Sequence, residues 1–278
     1  MKHPLKRFLL LQPAWLPTVL FIPLLYALGW LAAVPLTLLG LPSHQVSFTG
    51  TVLSFVLFLL VLPSWAHLRW HCSKTWQTLG LRRSKRSGAS RSASFQRGLV
   101  WAVLLLTLVI VPLLLGQWAE WHWQGSWRLV IDALLLLFGV GAAEELIFRG
   151  WLWKELNLLL GPRFGMLGQA FIFSLVHARF NLGFFPMMSL LTGLFLLGLI
   201  LALQRERDNG LLWGCIGLHG GLVSSWFLLE KGLFEFSPST PAWLIGPGGI
   251  HPNPLGGAVA IGALTLFVLI HTCKAIKQ

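Results

Sequence analysis

Apolar residues in this chain run together in long blocks instead of alternating with polar ones. A membrane-crossing helix needs about 20 predominantly apolar residues, and eight blocks approach that length. They cover roughly 15–39, 46–67, 98–116, 129–149 (running on to 158), 164–178, 184–203, 211–229 and 255–272. The fifth block is short, so it is expected to be steeply embedded or joined to its neighbour through a buried bend. The first block follows Met1–Arg7 in the manner of a signal peptide, but it is too long and too interrupted by proline for one and is read as the first span. The pattern predicts an all-α polytopic membrane bundle of about eight helices, forming one membrane domain over residues 1–278.

Composition agrees with the pattern. Hydrophobic residues make up 55% of the chain and charged residues only 11%, a balance unlike that of a water-soluble domain. Fifteen tryptophans against one tyrosine suit many helix ends at a membrane–water boundary. The three cysteines are isolated, with no metal or disulfide spacing.

Charge then orients the bundle. With a cytoplasmic N-terminus, eight spans leave both termini inside; the inner segments hold seventeen Lys and Arg residues and the outer segments three. Eight of the seventeen lie in a basic cytoplasmic loop, 69–97, which contains no acid. Its Arg82, Arg83, Lys85, Arg86 and Arg91 are expected to rest on anionic membrane lipid, so the net charge of +12 calls for no nucleic acid. The outer segment "GQWAEWHWQGSW" is expected to form an aromatic belt.

Ionisable residues inside the apolar blocks are few and therefore informative. In "GVGAAEELIFRGWLW", Glu145 and Arg149 are four apart and can pair along one helix face, whereas Glu144 is rotated about 100° away and left without that partner. Small residues before Glu144 permit close approach of another helix, so Glu144 is expected to face the interior. "FIFSLVHARFN" places Phe173 and His177 on one helical face, with Asn181 a turn further, and "CIGLHGGLVSS" places His219 in mid-block beside two glycines. A packing cluster with Glu144 protonated is one reading of the carboxylates alone. Two histidines and an unpaired glutamate on three separate blocks are the residue types that bind a divalent metal or activate water. Depth estimates from the helical rise place the three at comparable levels, reachable from a cavity opening to the cytoplasm.

"EELIFR" resembles the EExxxR motif, and "FSLVH" the FxxxH motif, of the CPBP family (CAAX protease and bacteriocin-processing enzymes), with His219 of "LHGGLV" as the last histidine. The resemblance covers about 129–229, which would form the catalytic core helices. It implies an intramembrane endopeptidase acting on a membrane-associated peptide or protein. Glu144 would be the general base, and His177 and His219 would position water, directly or as ligands, together with Glu144, of a divalent metal such as zinc. Glu145, Arg149, Phe173 and Asn181 would support them. The family often carries Asn or Asp four residues after the last histidine, where this chain has Val223. That departure suits a catalytically silent membrane chaperone or assembly factor, and a proton-coupled transporter is a third reading. Short connecting segments point to a prokaryotic inner membrane; oligomeric state and substrate are not legible.

Overall fold

The computed structural model describes residues 4–82, 90–249 and 251–276, with side chains through residue 270. Arg83, Lys85 and Arg86 of the expected lipid-facing set lie outside the described residues. Eight principal helices occupy the eight apolar blocks: α1 (Trp15–Ala33), α2 (Val46–Trp70), α3 (Arg91–Leu115), α4 (127–160), α5 (Pro162–Leu175), α6 (Phe184–Arg207), α7 (Trp213–Leu228) and α8 (Ala258–Ile276). Among the described residues, four helical stretches are long and apolar enough to cross a membrane: Trp15–Leu39, Ser43–Trp70, Arg91–Leu115 and Phe184–Arg207.

Where the sequence suggests a single bundle, the chain divides into two compact units, Met1–Thr78 and Leu79–Gln278. In the first, α1 and α2 form a hairpin. Phe21 packs on Phe58 and Trp65, with ring centroids 5.7 and 4.3 Å away. Gly29 meets Gly50 and Ser54 with no room for a side chain. Arg69 donates to the carbonyls of Leu9 and Ala14, at 3.1 and 2.8 Å, and ties down the N-terminal segment.

The second unit is built around α7, in which Gly214 through Leu222 are all buried, the mark of a helix enclosed by neighbours. Its glycines explain how neighbours come so close. A β-carbon on Gly141 of α4 would sit 2.8 Å from the Gly220 Cα, and one on Gly220 would overlap the Leu137 carbonyl. Gly98 of α3 meets the α7 backbone at Gly214 and Leu218 in the same way. Small residues thus allow the backbone-to-backbone packing usual for helices in lipid. Helix α4 is one continuous rod, but wider π turns at Leu135–Val140 and Leu146–Leu152 flank the α-helical turn Gly141–Glu145. Such insertions often mark functional sites.

Two expectations change, and the fifth block is short as expected. The basic stretch 69–97 is not all loop: α3 begins at Arg91, and Arg97 forms a 2.5 Å ion pair with the fully buried Asp208. Arg82 and Arg91 are exposed. The all-α expectation also misses a small sheet, since part of the tryptophan-rich segment forms β1 (Ala119–Trp121), antiparallel to β2 (Phe234–Phe236) in the register Ala119↔Phe236 and Trp121↔Phe234. Both strands read apolar–polar–apolar, but three residues are too few for that alternation to stand out. Finally, α5 has 14 residues, a length of about 21 Å. It is shorter than a bilayer's apolar core, about 30 Å, and the chain turns back through 176–183 into α6.

Candidate active site

Glu144 and Glu145 lie on the turn of α4 that crosses α7 at Gly220, which puts them beside His219, the residue preceding that glycine. The Glu145 carboxylate is fully buried and takes two partners through one oxygen: Arg149 Nη1 at 2.8 Å and His219 Nδ1 at 2.8 Å. The expected Glu145–Arg149 pair is present, but Glu145 also anchors the histidine of another helix. Arg149 is fully buried too, and its guanidinium lies 4.1 Å from the Phe173 ring centroid. The Phe173 ring meets His177 at 4.7 Å and His219 edge-on at 5.6 Å, so it forms the floor beneath both imidazoles.

His177 is not on the helix proper. Helix α5 ends at Leu175, and His177 Nδ1 sits 2.7 Å from the Phe173 carbonyl, capping one of the terminal carbonyls a helix leaves unpaired. Because the helix stops there, Asn181 does not continue its face. It is exposed on the separate turn Phe180–Leu182, outside the cluster described here.

The tautomers follow from these partners. A carbonyl and a carboxylate can only accept, so each Nδ1 carries a proton and donates, and in a neutral ring Nε2 then presents a lone pair. Both Nε2 atoms face Glu144: its Oε2 lies 3.4 Å from His177 and 3.9 Å from His219, and that oxygen is buried without a hydrogen bond. With both rings neutral and Glu144 ionised, three acceptors converge there. Such a site attracts a cation or a water that donates. Exposure is uneven across the cluster: the side chains of Glu144 and His177 are 26% and 32% exposed, those of His219 and Glu145 6% and 0%.

A divalent metal suits this donor set. Each histidine is held through Nδ1 by a carbonyl or carboxylate, the usual outer support of metal-binding imidazoles. Bonds of about 2.0–2.1 Å in a tetrahedral zinc site place ligand atoms roughly 3.4 Å apart. The Glu144–His177 separation meets that value, while His219 is about half an ångström beyond it. Among the described residues no group of three such side chains is already assembled at metal-binding geometry, so closure of His219 would be required.

A cavity adjoins the C-terminal ends of α5 and α7. There Arg179, two residues beyond His177, donates to the His251 carbonyl at 3.1 Å. The cavity, about 260 Å³, is lined by Leu136, Arg179, Val223, Trp226 and Glu230 among others. Val223, one turn after His219, is thus an apolar wall of this cavity.

At the opposite end of α7, Asp208 takes Arg97 at 2.5 Å and Gln204 Nε2 at 2.9 Å, while Arg205 donates to the Arg149 carbonyl. This buried network was not anticipated. The one available signal was acidic and basic residues at block ends, too common to be specific.

The several long apolar helices are those of an integral membrane protein, and the Glu/His cluster lies among its apolar helices. Residues 125–224 match the family model described as type II CAAX prenyl endopeptidase Rce1-like, so this part of the chain is similar to the CPBP/CAAX protease family. Residues 3–74 match a domain of unknown function, DUF8676, whose extent nearly coincides with the first compact unit. Neither curated proteins nor solved structures give a match.

Proposed function

We propose that the protein is an intramembrane endopeptidase that cleaves a membrane-associated peptide or protein, with Glu144 as general base. The convergence of the Glu144 carboxylate with two imidazole lone pairs carries this reading. A water lodged among these acceptors gives a proton to Glu144 and attacks the scissile carbonyl carbon; Glu144 then returns the proton to the departing amine. His177 and His219 orient the water. Phe173, Glu145 and Arg149 hold both rings in place. Zinc or another divalent cation, held by Glu144, His177 and His219, would supply Lewis-acid activation of water and carbonyl.

The chain's placement is part of the same reading: both termini cytoplasmic by the positive-inside rule, Arg82 and Arg91 against anionic headgroups, and a prokaryotic inner membrane. In that orientation the cavity at the ends of α5 and α7 faces away from the cytoplasm.

Val223 favours a second reading, a silent family member that binds membrane proteins without cutting them. Metal content and cleavage of membrane-tethered peptides by purified protein separate the two. The protease reading expects His177→Ala to lose cleavage by at least about a hundredfold and to lose bound metal. Wild-type protein that folds, binds such peptides and cleaves none would support the silent reading.

A further inference from the structure

The small sheet has a second edge. Ser237 N–H donates to the Trp118 carbonyl and His122 N–H to the Leu233 carbonyl, each at 2.9 Å. With the register Glu120↔Glu235 between them, the bonded pairs in this antiparallel ladder are 118/237, 120/235 and 122/233. The backbone groups of Phe234 and Phe236 therefore point away from β1. The Phe234 N–H is used by the Leu229 carbonyl. Among the described residues, that leaves the Phe234 carbonyl and both backbone groups of Phe236 along the outer edge.

A groove of about 700 Å³ runs along this strand. Leu233 through Pro238 all line it consecutively, together with His122 and Gln124 beyond β1, so the groove borders β2 along its length and part of one sheet face. Its facing wall includes Gly246–Gly249, and Glu230, Lys231 and Glu235 give it a polar, solvated character. Glu230 and Pro252 belong both to this groove and to the 260 Å³ cavity lined by Val223 and Arg179. The two spaces thus adjoin at these residues, and the inner one is lined by Val223, one turn from His219, and Arg179, two residues from His177.

We propose that the groove binds an extended peptide as a third strand on β2, and that the peptide continues inward to place an apolar side chain against Leu136, Val223 and Trp226. An unpaired strand edge recognises backbone, not sequence. Phe236 N–H would donate to a peptide carbonyl, and the Phe234 and Phe236 carbonyls would accept peptide N–H groups. The alternating side chains of a strand then let one residue enter the apolar cavity while its neighbours remain in the polar groove. This deepens the endopeptidase reading and rests on it: the strand would be the substrate segment next to the scissile bond, held extended for attack.

The test uses full-length Glu144→Gln protein in detergent and a mixture of dansyl-labelled heptapeptides randomised over Ala, Leu, Val, Phe and Ser, with binding read by fluorescence anisotropy. Phe236→Pro removes the outward N–H at an edge position where proline is sterically tolerated; Phe236→Ala keeps the N–H and removes the ring that stacks on Trp226. Strand addition predicts at least tenfold weaker binding for Phe236→Pro, less than threefold for Phe236→Ala, and at least tenfold for Val223→Trp, which fills the inner cavity. Equal effects of the two Phe236 variants, or no binding of the mixture, overturn the proposal. Cleavage by the Glu144 form is scored separately with the tethered peptides. Phe236-dependent binding without cleavage contradicts the endopeptidase reading and keeps the groove, whereas cleavage indifferent to Phe236→Pro contradicts the groove alone.

Discussion

His219 Nδ1 lies 2.8 Å from Glu145 Oε1, so the second glutamate of the pair fixes the ring whose other nitrogen faces the first. The two adjacent carboxylates therefore do different work. Glu145 is sealed between Arg149 and His219, with no solvent exposure. Glu144 is the more exposed of the two, its side chain 26% open, and its buried Oε2 faces both imidazoles without a hydrogen bond.

Glu145 and Arg149 should be strongly coupled in stability. Removing one partner of a buried pair leaves an uncompensated charge, at about 3–5 kcal/mol. Thermal unfolding of Glu145→Gln, Arg149→Met and the double variant in detergent should show the double loss well below the sum of the singles. Additive losses would mean that the pair does not exist in the folded protein.

Crossing of α4 and α7 depends on Gly220. Alanine there overlaps the Leu137 carbonyl, and overpacking of this kind typically costs about 1–3 kcal/mol. Gly139, two residues before Gly141, has open space where a β-carbon would go. Gly139→Ala should raise stability by roughly 0.5–1 kcal/mol through the ordinary helix preference of alanine. Unfolding temperatures of both variants check the contrast, and a tolerated Gly220→Ala would contradict the close crossing.

Asp208 and Arg97 should respond asymmetrically. Arg97→Ala strands a carboxylate that is fully buried, whereas Asp208→Asn leaves an arginine whose side chain is 39% exposed and can be hydrated. The first should therefore lower the unfolding temperature more than the second, because an unpaired buried charge is the more costly species. The reverse order would show that Asp208 is not enclosed.

Much of this was legible from residue order alone, for definite reasons. Eight apolar blocks became eight helices because twenty apolar residues in a row leave few alternatives, and Glu145–Arg149 was visible because i,i+4 pairing is local. What escaped depends on contacts between distant segments. The start of α3 at Arg91 and the role of Arg97 rest on Asp208, 111 residues away. Glu145 as the anchor of His219 rests on a helix crossing that spacing cannot reveal. Asn181 was placed on a continued helix, but His177 caps α5, and the chain turns before reaching it. The strands β1 and β2 are three residues each and are fixed by pairing, which leaves little trace in either segment alone.

The most direct measurement compares cleavage of a membrane-tethered peptide by wild-type and Glu144→Gln protein, with unfolding temperature recorded for each. Because the Glu144 oxygen facing the imidazoles makes no hydrogen bond, the substitution should leave the unfolding temperature unchanged or higher while cleavage falls by at least about a hundredfold. A folded Glu144→Gln protein that still cleaves at more than about a tenth of the wild-type rate, short of the loss expected of a general base, would contradict the assignment.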